Sequence, residues 1–368
     1  MAGLYVHIPF CKRRCKYCDF FSTTRLERQE AYVDALVKEI AARKDEAGEP
    51  IRTVYIGGGT PSTLAPQDIA RIVKAIGTYE AEEITMELNP GDATPAYMQA
   101  LRDIGINRLS IGIQSFQDDL LTLIGRRHNA QQAIDAVRMA QEAGFTNLSI
   151  DLMYALPTQT METWQADIET AIGLGVQHIS SYGLIYEDGT ALTQAVEDGA
   201  LEAIDEETEN AMYDTLCERL KQAGFVHYEV SNFALPGYEA KHNSRYWDHT
   251  PYIGVGAGAH TYVPPVRSWN KEDLEEYIGG AVTGYGLQVT GDGLRESEIL
   301  SETDLYNERI MLGLRTNRGI VGPFSVHSRK QMEEYIHKGL LRQTDDERVV
   351  ATLEGIHILN RIIEDLMI

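Results

Sequence analysis

Apolar runs of strand length alternate with amphipathic segments of helical period through the first half of the chain. The runs predicted as strands are 4–10, 53–58, 84–89, 108–114, 147–155 and 178–185. Between them, apolar positions recur at helical spacing in the segments 27–44, 66–77, 94–104, 117–143 and 161–173. Strands joined by helices at this spacing predict a parallel sheet, and right-handed crossovers favour an open or closed α/β barrel. In such a barrel, ligands bind where the strands end at their carboxyl edge.

The pattern changes after about residue 186. A helix is predicted at about 205–223, followed by an aromatic, glycine-rich stretch that runs to about 270. From about 299 the chain reads as a small helical module, in which 340–353 forms a hairpin with a polar turn between two helices. This order of elements resembles a winged helix. Because no basic stripe accompanies it, DNA binding is the weaker interpretation of the module. We therefore divide the chain into a barrel (1–225), an extension (226–298) and a C-terminal module (299–368).

Three of the four cysteines lie within eight residues, as Cys11, Cys15 and Cys18 in the spacing C-x3-C-x2-C after the first strand. Three converging thiolates indicate an inorganic cofactor rather than disulfides, and they leave one coordination position open. An iron–sulfur cluster is the favoured interpretation. A structural zinc would need a fourth Cys or His, for which His7 is available but lies within the strand. Free thiols are the remaining alternative.

Charge limits the classes of partner. The 368 residues carry a net charge of −22, which argues against binding to nucleic acid or to anionic membranes. The segment 187–209 contains nine carboxylates and no Lys or Arg; it is a solvated surface or, alternatively, a docking patch for a basic partner. A small basic island would hold the thiolates ionised and attract an acidic electron donor. Its members are Lys12, Arg13, Arg14 and Lys16.

Polar and glycine residues mark the ends of the later strands. Gly57, Gly58, Gly59 and Thr60 end the second strand, where glycines let the backbone approach a ligand closely. Alone, this run would be an ordinary turn or a binding segment with equal weight. On or near the following strands lie four polar residues that must be paired or face a polar cavity. They are Glu87, Gln114, Arg126 and Asp151, and salt bridges inside the barrel are the alternative explanation.

A second cluster of candidate residues lies far downstream. The segment from His242 to Trp247 brings together an imidazole, the amide of Asn243, the phenol of Tyr246 and an indole. Histidine is a common ligand of heme iron, and aromatic rings can stack on a porphyrin. In isolation, a histidine beside a tryptophan is more often structural. The glycines at 254–258 lack the strand-to-helix context of a nucleotide loop, which indicates a tight turn.

Two motifs together carry a family resemblance that covers nearly the whole chain. The cysteine motif with Tyr17 before its last cysteine, and the string Tyr5-Val-His-Ile-Pro-Phe-Cys11, resemble the radical S-adenosylmethionine (SAM) superfamily. The closest likeness is to the branch that contains oxygen-independent coproporphyrinogen III oxidases and heme chaperones. This resemblance implies a partial (β/α)6 TIM-like barrel of the α/β class with a C-terminal α-helical, winged-helix-like module. It also implies a [4Fe–4S] cluster whose open iron takes the amino and carboxylate groups of SAM, which one electron cleaves to a 5′-deoxyadenosyl radical.

The resemblance also implies which residues bind each cofactor. The metal ligands are Cys11, Cys15 and Cys18. The residues that match SAM-binding positions are Tyr5, Gly58, Gly59, Thr60, Glu87, Gln114, Arg126 and Asp151. Arg126 suits the carboxylate of SAM, and the acidic side chains suit ribose hydroxyls or an ammonium group. The motif His-Asn-x-x-Tyr-Trp resembles the heme-binding motif of the chaperones, with His242, Asn243, Tyr246 and Trp247 as its members.

Two departures from the oxidases favour a heme chaperone. Phe20 stands where the oxidases have a fourth cysteine, and they carry an extension before the cluster, whereas Tyr5 is nearly the first residue here. We expect a chaperone that binds heme, the cluster and SAM, takes an electron from a donor, and transfers heme to an unidentified acceptor protein, with a membrane-bound acceptor as one option. The alternatives are an oxidase that decarboxylates coproporphyrinogen III and a radical enzyme with an unrelated substrate, so enzymatic activity stays open. No signal peptide or transmembrane run is visible, and few cysteines with an oxidation-sensitive cluster predict a reducing cytoplasm.

Overall fold

Six parallel strands, adjacent to one another in chain order, form the centre of the sheet in this computed structural model, which describes residues 1–77, 80–283 and 295–368. The strands are β1 (Ala2–Ile8), β2 (Ile51–Gly58), β3 (Glu83–Leu88), β4 (Arg108–Gln114), β5 (Leu148–Tyr154) and β6 (His178–Gly183). Each strand pairs in parallel with the next. The predicted strands and their parallel order are therefore confirmed.

Helices connect the consecutive strands. They are α1 (Gln29–Arg43), α2 (Pro66–Ile76), α3 (Pro95–Ile104), α4 (Asp118–Leu123), α5 (Ala130–Glu142) and α6 (Met161–Gly173). Three short 3-10 helices lie beside them, at Leu26–Arg28, Pro61–Thr63 and Pro90–Asp92. Because α4 and α5 both lie between β4 and β5, the single helix predicted at 117–143 is wrong. Gly125 takes a φ of +79° after α4, and the side chain of Asn129 caps the start of α5, so the helix is interrupted between them.

The extension adds strands to both edges of the six-stranded sheet. Its elements and those just before it are α7 (Ala191–Glu197), α8 (Glu206–Gln222), β7 (Val226–Glu229), β8 (Asn232–Ala234), α9 (Lys241–Tyr246), β9 (Tyr252–Val255), β10 (His260–Val263), β11 (Val266–Asn270), α10 (Leu274–Thr283) and β12 (Arg295–Ile299). β1 pairs with β2 on one side and with β9 on the other, and β6 pairs with β5 on one side and with β8 on the other. The barrel is therefore partial, because both of its end strands pair with the extension. Residues 284–294 of the predicted extension lie outside the described residues.

The C-terminal module has a separate apolar core. Its elements are α11 (Glu302–Leu314), α12 (Val326–His337), β13 (Leu341–Gln343), β14 (Val349–Ala351), α13 (Leu353–Ile356) and α14 (Leu359–Leu366). The predicted hairpin is confirmed, since β13 and β14 pair antiparallel. Buried side chains from these helices and strands, such as Ile310, Met332 and Ile362, pack together. The boundaries 1–225, 226–298 and 299–368 remain predictions.

Alternation along the strands separates an apolar face from a polar one. On β1, Leu4, Val6 and Ile8 are fully buried and belong to the main apolar core with residues from α1 and α2. Successive side chains of a strand point to opposite faces, so Tyr5 and His7 lie on the other face. The same spacing places polar residues of the later strands on that second face, which lines the interior of the partial barrel. Across the described ranges, no helix is both long and apolar enough to span a membrane.

Candidate functional site

A cavity of about 660 Å³ opens at the carboxyl ends of the parallel strands. Every residue predicted to hold the cluster or SAM lines it. These residues are Tyr5, Cys11, Cys15, Cys18, Gly58, Gly59, Thr60, Glu87, Gln114, Arg126 and Asp151. The structure therefore brings together side chains from five strands and from the cysteine loop that follows β1. Their individual roles in binding remain predictions, argued below from chemistry.

The cysteine loop is held by polar contacts to the neighbouring segments. The thiol of Cys11 lies 3.4 Å from the hydroxyl of Thr60, and Arg126 donates from Nη1 to Sγ of Cys15 at 3.4 Å. Burial raises the pKa of Cys11 and of Cys18. A metal centre overcomes such a shift because it binds the thiolate directly. The positive charge of Arg126 beside Cys15 also suits a thiolate there.

A single zinc ion would need a fourth ligand beside the three cysteines, whereas a cubane held by three cysteines keeps one iron open. His7, the candidate fourth ligand, uses both ring nitrogens: Nδ1 lies 3.0 Å from the Tyr5 hydroxyl and Nε2 lies 3.0 Å from the Phe21 carbonyl. The donor set therefore fits a [4Fe–4S] cluster with three cysteine ligands.

Part of the basic island anchors the loop, although Lys12 and Arg13 remain exposed to solvent. Lys12 forms an ion pair with Asp92 at 2.7 Å, and Arg127 pairs with the same carboxylate at 2.8 Å. Burial raises the pKa of Asp92, but the guanidinium of Arg127 and the ammonium of Lys12 outweigh that effect and lower it overall. Arg13 donates to the carbonyl of Gly125 at 2.9 Å. These contacts tie the cysteine loop to the segments that follow β3 and α4.

The glycine segment approaches the cysteine loop too closely for any side chain. A Cβ on Gly59 would lie 2.9 Å from the carbonyl carbon of Pro9 and 3.0 Å from Sγ of Cys11. Gly58 has a φ of +113°, and a Cβ there would lie 2.7 Å from the ring of His7. Close packing therefore requires glycine at both positions, and the role of the segment in binding remains a prediction.

Two carboxyl groups, those of Glu87 and Asp151, are buried in the polar interior. Glu87 accepts from the Tyr55 hydroxyl at 2.8 Å and from the backbone N–H of Gly58 at 3.1 Å. Burial, and secondarily the charge of Asp151, raise the pKa of Glu87 to about 7. Burial also raises the pKa of Asp151, which accepts from the Ser110 hydroxyl at 3.2 Å. In the described part of the chain neither carboxyl forms a salt bridge, but the charges of Arg108 and Arg126 lower the pKa of Asp151 and partly offset the effect of its burial.

Arg126 lies in a loop, and Gln114 lies at a strained backbone position. Arg126 occupies the break between α4 and α5, donates to the carbonyl of Gly112, and has a buried Nε with no partner in the described residues. Gln114 has a φ of +77° where the register of β4 against β5 shifts. Such strained conformations are retained where the surroundings enforce them, often at binding sites. The spare donor of the guanidinium suits a ligand carboxylate.

Sequence reasoning missed two residues of this cavity. Arg108 begins β4, is 1% exposed and lines the cavity, and its buried Nε has no partner in the described residues. Tyr55 orients Glu87. The rule that a charged residue in an apolar strand must be paired or face a polar cavity would also have identified Arg108. The tyrosine offered no comparable signal, because aromatic residues are common in strands.

A second cavity, of about 720 Å³, adjoins the first. Asn243, Tyr246 and Trp247 of the predicted heme motif line it, together with residues of the C-terminal module. The residues common to both cavities are Tyr5, Tyr55, Tyr182, Ile185 and Asn243. The two cavities therefore share a wall, and part of that wall is apolar and open to solvent, since Ile185 is 70% exposed.

His242 lies behind this second cavity and does not line it. The side chain is fully buried; Nδ1 lies 3.0 Å from the Thr53 hydroxyl and Nε2 lies 2.8 Å from the Tyr246 hydroxyl. Burial, and secondarily the charge of Arg245, lower the pKa of His242 to about 3. Both ring nitrogens are thus engaged in this conformation, and coordination of iron would require one of the hydrogen bonds to break. Its role as a heme ligand remains a prediction.

Comparisons with known proteins identify the class and then the family. The model of the radical SAM superfamily matches residues 5–171, which span the cysteine loop and β1 to β5. The fold and the site therefore define a radical SAM protein. The heme chaperone HemW of Lactococcus lactis is 37% identical over 99% of this chain and 97% of its own length. HemW of Bacillus subtilis is 35% identical over 87% of this chain and 85% of its own length. The chain belongs to the HemW family.

Further similarities extend this result. A Danio rerio protein named radical S-adenosyl methionine domain-containing protein 1, mitochondrial, is 33% identical over 100% of this chain and 87% of its own length. Among solved structures, coproporphyrinogen III oxidase (HemN) from Escherichia coli, a radical SAM enzyme, superposes with a TM-score of 0.81. It covers 100% of this chain and 90% of its own at 23% identity, a likeness of fold alone. The predicted family and fold class are confirmed.

Proposed function

We propose that this protein is a heme chaperone that binds heme, a [4Fe–4S] cluster and SAM, and passes heme to an acceptor protein. The observation that carries the proposal is the similarity to curated HemW proteins along almost the whole of both chains. That similarity includes the segment with Asn243, Tyr246 and Trp247, which is far from the cysteine loop. An acidic electron donor, a heme acceptor and a cytoplasmic location are parts of the proposal that rest on the family resemblance.

The first cavity is suited to the cluster and SAM. Cys11, Cys15 and Cys18 supply three thiolates, and Gly58 and Gly59 line the same cavity. When bound, the cluster and SAM supply one-electron chemistry. Arg126 has a free donor for the SAM carboxylate. Glu87, oriented by Tyr55, presents an acceptor for an ammonium or a ribose hydroxyl, and its raised pKa falls again when a cation binds beside it.

The second cavity is suited to a porphyrin. Its lining combines the rings of Tyr246 and Trp247 with the apolar side chains of Ile358 and Leu359, and Asn243 adds a polar group. Aromatic and aliphatic side chains of this kind pack against the faces of a flat macrocycle. Because both cavities share Asn243 and Tyr5, a bound heme would lie beside the SAM site.

The alternative function is the decarboxylation of coproporphyrinogen III. It is considered because this chain shares its fold with HemN. Phe20 argues against it on chemical grounds: a phenyl group stands where the oxidases have a fourth cysteine. The side chain of Phe20 is 70% exposed and lines the first cavity, so it offers an apolar contact in place of a thiol.

Anaerobic titration of the reconstituted protein with heme separates the two functions. We expect stoichiometric heme binding, followed by the Soret band, and no decarboxylation when coproporphyrinogen III is supplied with SAM, a reductant and an electron acceptor. Cys15→Ala should remove the iron–sulfur absorption, whereas Cys217→Ala, which changes a cysteine outside both cavities, should retain it. Robust decarboxylation by the intact cluster, without heme binding, would refute the chaperone assignment.

A further inference from the structure

Arg315 carries a charge on the wall of the second cavity that no carboxylate of the described residues neutralises. It follows α11, and Nη2 donates to the side-chain carbonyl of Asn360 at 2.7 Å, a neutral partner. Burial lowers the pKa of Arg315, the direction expected when desolvation is not compensated by a nearby anion. A partly desolvated guanidinium with unused donors is a favourable site for a carboxylate.

The other charged groups of the cavity do not offset Arg315. Glu229 accepts from the amide of Asn232 and from the N–H of Ser231, and burial raises its pKa, which favours the neutral acid. Arg361 already has a carboxylate partner, since its Nε lies 3.1 Å from Oδ2 of Asp365. Of the guanidinium groups that line this cavity, Arg315 is therefore the one suited to an anionic ligand.

The backbone fixes Arg315 relative to the barrel. Its carbonyl accepts from the N–H of Val230 at 3.0 Å, and the N–H of Asn317 donates to the carbonyl of Tyr228 at 3.0 Å. Glu229 and Thr316 form a bridge between these two contacts. The module is thus joined to β7 and to the turn after it at this point, and Arg315 lines the same cavity as Tyr246 and Trp247.

We propose that Arg315 anchors a propionate carboxylate of heme, so that the C-terminal module supplies one wall of the heme site. The inference rests on the proposed function. Heme combines an apolar macrocycle with two carboxylates, and the cavity offers aromatic and aliphatic surface together with one unpaired guanidinium. The planar fork of arginine matches a carboxylate in bidentate geometry, whereas lysine would provide only a point charge.

A comparison of two ligands on two proteins tests the contact. The ligands are hemin and hemin dimethyl ester, whose propionates are esterified, and the proteins are the wild type and Arg315→Gln. Loss of a charge-assisted hydrogen bond should weaken hemin binding about tenfold. The dimethyl ester should bind wild type and variant with the same affinity, because it has no carboxylate to lose. Equal hemin affinity in wild type and Arg315→Gln would overturn the inference.

Two further variants distinguish the loss of the Arg315 charge from a general disturbance of the structure. Asn360→Ala removes the hydrogen-bond partner of Arg315 but keeps the guanidinium, so hemin affinity should persist. Arg342→Gln removes an exposed arginine of β13 outside the cavity and should leave both ligands unaffected. If Arg315→Gln weakened hemin and its dimethyl ester equally, its effect would be structural and the carboxylate contact refuted. Failure of the wild type to bind hemin would instead refute the proposed function.

Discussion

Glu87 is a buried carboxyl group whose ionisation opposes folding. Its carboxyl lies in the polar interior, oriented by Tyr55 and by the N–H of Gly58, and no cation of the described residues pairs with it. Burial and the charge of Asp151 raise its pKa to about 7. Without a ligand, ionisation of Glu87 therefore opposes folding, and a cationic ligand would relieve that penalty.

This penalty predicts a specific pH dependence for the ligand-free protein. An unfolded glutamate has a pKa of about 4.3, so between that value and about 7 the unfolded chain loses a proton that the folded chain retains. Stability must then fall as pH rises through this range. Glu87→Gln cannot titrate, and we expect its loss of unfolding free energy between pH 5 and pH 7 to be smaller by on the order of 2 kcal/mol.

Urea denaturation at pH 5 and pH 7 measures the difference. The exposed Glu27→Gln provides a control for the substitution itself and should keep the wild-type pH dependence. A Glu87→Gln protein with the same pH dependence as wild type would show that this carboxyl is not protonated in the fold.

At the scale of elements, the strands were predictable and the loops at their ends were not. Apolar runs of strand length and their order along the chain were enough to place β1 to β6, because buried parallel strands leave a clear pattern. The break at 124–129 was missed, since its residues continue the helical pattern and only Gly125 and Asn129 interrupt it. That break places Arg126 beside Cys15. The missed break is therefore a loop that contributes a residue, Arg126, to the first cavity.

One helix, α1, connects the barrel to the extension through a buried charge network. Glu39 is 2% exposed and forms an ion pair with Arg43 at 2.5 Å. Its carboxylate also accepts from the Asn270 amide at 2.8 Å and from the Tyr277 hydroxyl at 2.6 Å. Arg43 in turn donates to the carbonyl of Gly254 at 2.9 Å. The network thus joins α1 to β9, β11 and α10.

Removal of this charge should destabilise the protein strongly. Glu39→Gln keeps the size of the side chain but leaves Arg43 buried with less compensation, which costs about 3 kcal/mol in comparable buried pairs. Urea denaturation with a cluster-free sample measures the unfolding free energy. Glu30→Gln, the same substitution on the exposed first turn of α1, should change it by less than about 0.5 kcal/mol. Equal stability of the two variants would contradict a structural role for the network.

At the scale of the whole molecule, the two cavities differ in how far they were predictable. The first is built mainly from strand ends, and the rule that parallel strands share a carboxyl edge brings its residues together. The second is built from β1, the heme motif and the C-terminal module, as Tyr5, Trp247 and Arg315 illustrate. No periodic pattern relates such distant segments. The buried position of His242 was equally hidden, since it depends on contacts with Thr53 and Tyr246.

A ligand bound between the barrel and the module should stabilise both. If heme occupies the second cavity, each segment that contacts heme must lose that contact before it can unfold locally. Bound heme therefore raises the free energy of local unfolding of these segments. We expect heme to slow amide hydrogen exchange in peptides that cover α9 and also in those that cover 356–361 of the module. SAM, added alone to the cluster-loaded protein, should slow exchange around the cysteine loop and 57–60 and leave 356–361 unchanged. Hydrogen exchange followed by mass spectrometry distinguishes these patterns. Heme protection confined to α9 would show that the module does not contribute a wall to the heme site. In that case Arg315→Gln should have the same amide exchange rates as the wild type, both with and without heme.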